Sequence, residues 1–262
     1  MTSQPVTAEH TEPGRHVPMW PAIRAVAAGQ LSRVRVARVP LLLVATVQSV
    51  GIVVLLRGVL RHTSVTTAAA VVAGSTVLVV AFVALNLLAQ RFGALRAERA
   101  LDYYAALPIS PGAVVLGTAA SYAAFTVPGA VVTAAVGTGV YGLPASRLWM
   151  VVPTVLVASL ALAGVGSLLG LALPRPELAT VAGQLGMTAV LFLGVIPSGH
   201  LPDALRVVRA VLPGMLAVDG FADTLHRAVP WGHVVAWFAI TVGYGVVTLW
   251  LAGRWFRRAV DR

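Results

Sequence analysis

The feature that most constrains this chain is the run from residue 66 to 90, TTAAAVVAGSTVLVVAFVALNLLAQ, in which no side chain is charged. As a helix it is roughly 37 Å long at 1.5 Å per residue, enough to cross a hydrocarbon core of about 30 Å. Comparable runs occupy about 39–56, 113–139, 148–173, 178–196 and 231–252. The first is the shortest of the six, and its eighteen residues just suffice, covering roughly 27 Å. The chain is 58% hydrophobic and 11% charged, whereas soluble domains carry about a quarter charged residues. The expected fold class is therefore all-α: a polytopic membrane protein with six transmembrane helices.

Between the second and third runs lies a polar island, residues 91–112, carrying Arg91, Arg96, Glu98, Arg99 and Asp102. Such a segment belongs in water. Six spans put both termini on one side, and on that assignment thirteen of the nineteen arginines share the island's side while six lie opposite. The positive-inside rule then makes the island and both termini cytosolic. Residues 1–18 hold Pro5, Glu9, Glu12, Pro13, Gly14 and Pro18 and no apolar run, which predicts a disordered cytosolic tail, not a signal peptide. In 19–38, Trp20, Ile23, Ala27, Leu31 and Val34 share one helical arc, the pattern of an interfacial helix. Residues 19–262 are expected to form a single transmembrane domain. Within 200–229, Leu201, Leu205, Val208 and Leu212 recur at helical spacing before the break Pro213-Gly214, and a second apolar run follows from Met215. Two short external helices are expected there, with the Met215 run open to a re-entrant placement.

Composition also removes whole classes of chemistry. The chain has no Cys, hence no disulfide, thiol nucleophile or thiolate-bound metal. All nineteen basic residues are Arg, so neither a phosphate-binding GxxxxGK[ST] loop nor a Schiff-base lysine exists in it. The net charge of +10 flanks apolar runs instead of forming one basic face, which points to anionic headgroups of the lipid bilayer and away from nucleic acid. The six His are scattered without a carboxylate cluster, so no metal is expected.

The island has its own grammar. In ERALDYYAALPIS, Glu98, Arg99 and Asp102 fall within one helical turn, with Arg99 and Asp102 spaced as an i, i+3 pair. Leu101, Tyr104 and Ala105 form an apolar ridge, and Pro108 stops the helix. Glu98-Arg99, then Leu101 to Ala106, then Leu107-Pro108-Ile109-Ser110 resemble the segment between spans two and three in permease subunits of type 2 ATP-binding-cassette (ABC) exporters. IPSGHLPDALRVVRAVLPGMLAVDGF likewise resembles that family's Pro-bounded pair of external helices. The resemblance implies that Glu98, Arg99, Leu101, Asp102, Tyr103, Tyr104, Leu107 and Pro108 form a coupling helix, continuous with the second span, that seats in a separate ABC ATPase subunit. It also implies a second permease chain, identical or not, and outward transport at the cell membrane. ATP and Mg would be bound by the partner ATPase, with no cofactor in this chain, which would be a transport subunit and not an enzyme.

Three other classes compete. An ion-coupled secondary carrier needs carboxylates at midspan, and the spans hold none there. A membrane hydrolase would draw on Ser167 of Gly164-Val165-Gly166-Ser167 together with His233, although small residues at that spacing read better as helix-packing positions. A non-transport membrane protein would need no coupling handle. Apolar spans suit a lipid, an amphiphilic drug or a hydrophobic natural product as cargo.

Overall fold

The computed structural model describes residues 17–59, 64–196 and 202–260, and within them every regular element is helical. The N-terminal tail expectation, apart from Val17 and Pro18, falls outside the described residues. The elements are α1 (Met19–Val59), α2 (Val65–Val80), a π-helical stretch (Ala81–Leu87), α3 (Leu88–Ala97), α4 (Ala100–Ala105), α5 (Pro111–Tyr141), a 3-10 turn (Ala145–Met150), α6 (Val151–Ala172), α7 (Pro176–Val195), α8 (Asp203–Val211), α9 (Pro213–Thr224) and α10 (Trp231–Val260). Six segments are long and apolar enough to cross a membrane: Val39–Val59, Val65–Ala97, Pro111–Tyr141, Ala145–Ala172, Pro176–Val195 and Trp231–Ala259.

The helices outrun their apolar stretches. The second span continues as α3 through Arg91 and Arg96 to Ala97, so the first part of the polar island is helix and not loop. Similarly, α10 carries Arg254, Arg257 and Arg258 on the helix itself. The expected interfacial helix and the first span form one element of 41 residues with Pro40 inside it. Its path still changes. A Cβ on Gly117 of α5 would press on the carbonyl of Ile23, while one on Gly129 would press on Leu42 and Thr46. Twelve residues of α5 thus match about twenty of α1, roughly 18 Å against 30 Å of rise, so the first part of α1 slants across α5.

The second span is the centre of the bundle, and α1, α5, α6, α7 and α9 pack around it. Bilayer hydrocarbon offers no hydrophobic drive between helices, so close backbone contact between small residues must supply the attraction. Gly166 and Gly170 of α6 do this: a Cβ on either would lie 2.5 Å from the Leu85 carbonyl oxygen or 2.6 Å from that of Ala89. Gly74 of α2 meets the Gly194 carbonyl of α7 in the same way. Helix starts are capped: Ser64 accepts from the Thr67 amide (3.2 Å), and Ser110 from Ala113 (3.3 Å), with Pro111 opening α5. Gly142, at φ 66°, closes α5 in the left-handed conformation that glycine adopts without strain.

The two short helices between spans five and six differ from one another. α8 is exposed from Asp203 to Val208 with Arg209 buried, whereas α9 is buried from Pro213 to Val218 and packs against α2, α6, α7 and α10. The Met215 run therefore enters the bundle, the placement that the sequence left open.

Candidate functional site

α4 and its flanks stand at one end of the bundle, together with the α6–α7 connection and the end of α10. Its link to the second span is not the continuous rod that the resemblance implied. α3 ends at Ala97, Glu98 caps it, and Arg99 takes a left-handed conformation with φ 53° before α4 begins. That geometry costs a non-glycine residue about 1–2 kcal/mol and persists only where neighbours over-determine it. It also redirects Arg99. Asp102 donates its backbone N–H to the Arg99 carbonyl at 3.2 Å, but the two side chains form no ion pair, contrary to the i, i+3 expectation.

Lateral fastenings take the place of a straight rod. Arg96, on the last turn of α3, donates from Nη1 to the carbonyls of Leu171 (3.3 Å) and Leu173. Those are C-terminal carbonyls of α6, which lack intrahelical partners. Leu101 is 2% exposed and joins the core cluster that includes Phe92, Ala252 and Phe256. Gln30 of α1 donates from Nε2 to the Tyr104 hydroxyl at 3.3 Å. The Val17 amide donates to the Pro108 carbonyl at 3.0 Å, tying the segment's exit to the approach of α1.

The predicted residues thus divide by side. Leu101 faces the core, Tyr104, Leu107 and Ile109 are half-buried, and Glu98, Arg99, Asp102, Tyr103 and Pro108 are exposed. Tyr103 is 68% exposed and meets Tyr104 edge-on, with ring centroids 5.7 Å apart. The segment thus presents a free face carrying both charge signs and an aromatic ring on a back fastened to the bundle.

Three groups were not singled out from sequence. Gln90 donates to Asn86 Oδ1 (3.0 Å), and Asn86 Nδ2 donates to Gln184 Oε1 (3.3 Å), linking the π-helical stretch to α7. Gln184 and its neighbours Thr180 and Thr188, at i, i+4 and i+8, form a polar stripe along a span that also exposes Leu185 and Phe192. At the opposite end of the bundle, buried Arg209 donates to the Leu193 carbonyl and to Asp219 of α9. Burial pushes the Asp219 carboxyl above the usual carboxylate range, against the pull of the Arg209 guanidinium. The repeated spacing of Gln184 with Thr180 and Thr188 was legible as a stripe. The Arg209–Asp219 pairing, across a helix break, was not.

Ser167 and His233 do not come together. Contacts of Leu160 with Gly245 and of Gly164 with Thr248 show α6 and α10 running parallel, so His233 lies near the start of α6 and Ser167 near its end. Among the described residues, no group of three or more His, Asp or Glu side chains is placed to hold a metal ion.

Six helices long and apolar enough to cross a membrane, with a fastened polar segment at one end, define a multi-pass membrane protein. The sequence pattern of the ABC-2 type transporter family matches residues 22–226, and the chain belongs to that family, whose domains form the permease part of type 2 ABC transporters. A search of curated proteins finds no match.

Proposed function

We propose that this chain is the permease subunit of an exporter driven by ATP hydrolysis in a separate ABC ATPase chain, with α4 as the coupling helix. Glu98, Arg99, Asp102 and Tyr103 make the contact, and Leu101 and Tyr104 carry the displacement inward. ATP and Mg belong to the partner. The handle end and both termini face the cytosol, as the arginine distribution supports. The observation that carries this reading is the two-sided build of α4, exposed and charged outward, buried and hydrogen-bonded inward.

A second permease chain completes the path. Thr180 and Thr188 return their hydroxyls to carbonyls of their own helix at 3.0 and 2.9 Å, but the exposed Gln184 amide is costly against lipid and becomes favourable on one wall of a passage closed by another subunit. That wall, apolar with a single amide and two hydroxyls, suits a lipid, an amphiphilic drug or a hydrophobic natural product. It offers no carboxylate for ion coupling.

The test is reversal of charge at Glu98 and Asp102, each to Arg, in full-length protein expressed with its ATPase. Loss of ATPase co-purification, with membrane insertion and abundance unchanged, is the expected result. Undiminished co-purification removes α4 from the coupling role.

A further inference from the structure

Two adjoining cavities of about 380 and 460 Å³ lie between α1, α5, α6 and α10, and Leu116, Leu160 and Leu249 line both. No residue from Glu98 to Pro108 borders either one. Along α5 they reach from Ser110 to Ala123. That is roughly 20 Å at 1.5 Å per residue, somewhat more than one leaflet of a core about 30 Å thick. Small residues create the space: Gly112, Ala119, Ala120 and Ala123 line it on α5, and a Cβ on Gly112 would meet nothing within 4 Å.

The mouth is at the handle end, where Arg257 joins Met19 and Ser110. Arg257 differs from its neighbours. Arg254 lies over the Trp250 ring at 4.3 Å and Arg258 over Trp255 at 5.6 Å. Among the described residues, Arg257 has neither an aromatic ring nor a carboxylate. An apolar slot one leaflet deep, sited among membrane-spanning helices with an unclaimed guanidinium at its mouth, matches one occupant in chemistry and length.

We infer that the slot binds a single anionic phospholipid from the leaflet at the handle end, one acyl chain along α5 and α10 and the headgroup phosphate at Arg257. This does not depend on the coupling role of α4 or on the cargo. Its consequence is mechanical. The lipid braces the start of α1 against α5 and α10, beside the point where the Val17 amide holds the Pro108 carbonyl.

Native mass spectrometry of the full-length chain, loaded with phosphatidylglycerol or with phosphatidylcholine of the same acyl chains, tests it. One phosphatidylglycerol is retained per chain, preferred over phosphatidylcholine by about fivefold, the effect of one arginine at an anionic surface. Arg257→Gln abolishes the preference without emptying the slot. Gly112→Leu, filling the slot near its mouth, and Ala120→Leu, filling it farther in, each abolish retention of both lipids. Equal retention of the two lipids by the unmodified chain overturns the inference, as does undiminished phosphatidylglycerol retention in both filling variants.

Discussion

Gln30 of α1 holds the hydroxyl of Tyr104 across 74 residues of sequence, at 3.3 Å. This bond fastens the first helix to the handle, and the chain of the second span enters the same handle through the left-handed turn at Arg99. Movement imposed on α4 therefore passes to α1 as well as to α3.

Removing that bond loosens the handle without unfolding the bundle. Gln30→Leu and Tyr104→Phe each cost about 0.5–1.5 kcal/mol, the usual net value of one hydrogen bond. The double variant costs no more than either single one, because each removes the same contact. Amide hydrogen exchange over residues 100–105 is the measurement, and faster exchange confined to that segment is the expected outcome.

The turn at Arg99 makes a separate demand on the backbone. Arg99→Gly keeps the geometry, since glycine enters the left-handed region freely, whereas Arg99→Val forces a β-branched residue into it. Thermal unfolding of the purified chain is expected to place the Val variant about 1–2 kcal/mol below the Gly variant. Equal stabilities would show that the turn is not retained in the folded protein.

Much of this architecture was legible in the sequence because a bilayer imposes a simple rule on it. Uncharged runs such as 66–90 have one structural solution, and the polar island has one place to be. Helix ends were less legible. Arg91 and Arg96 looked like loop because charge marks water, yet a helix passes into water unbroken when a partner awaits it, and Arg96 finds the end of α6. The handle's two faces followed from spacing, with Leu101 and Tyr104 inward. The break at Arg99 did not, because an arginine gives no local signal for a left-handed backbone. The depth of α9 was equally hidden, since its burial depends on four other helices leaving room for it.

Packing at the centre predicts a contrast between two glycines. Gly166→Ala would put a methyl 2.5 Å from the Leu85 carbonyl oxygen, a clash with backbone that only separation of α6 from the second span relieves. Overpacking of this kind costs about 1–3 kcal/mol. Gly139→Ala, with nothing within 4 Å of the new methyl, is expected to stabilise α5 by about 0.5–1 kcal/mol. Melting temperatures of the two variants should move in opposite directions.

The Arg209–Asp219 pair carries a pH dependence whose sign follows from burial. The Asp219 carboxyl binds its proton more tightly in the folded chain than in the unfolded one, because burial outweighs the attraction of Arg209. Between the ordinary carboxylate pKa, about 4, and its higher folded value, the folded state therefore holds more protons, and this group's contribution to stability falls as pH rises. Asp219→Asn removes that slope while leaving an amide oxygen able to accept from Arg209. The difference in melting temperature between the original chain and Asp219→Asn is thus expected to shift against the original chain as pH rises through this window, and to level off above it. Arg209→Met behaves differently. It strands the buried carbonyl of Leu193, which Arg209 now satisfies, at a cost of about 1–3 kcal/mol at every pH, and with the guanidinium gone the buried Asp219 carboxylate adds a destabilisation that grows as pH rises. Parallel melting curves for Asp219→Asn and the original chain from pH 4 to 8 would mean that the Asp219 carboxyl is not held in this environment.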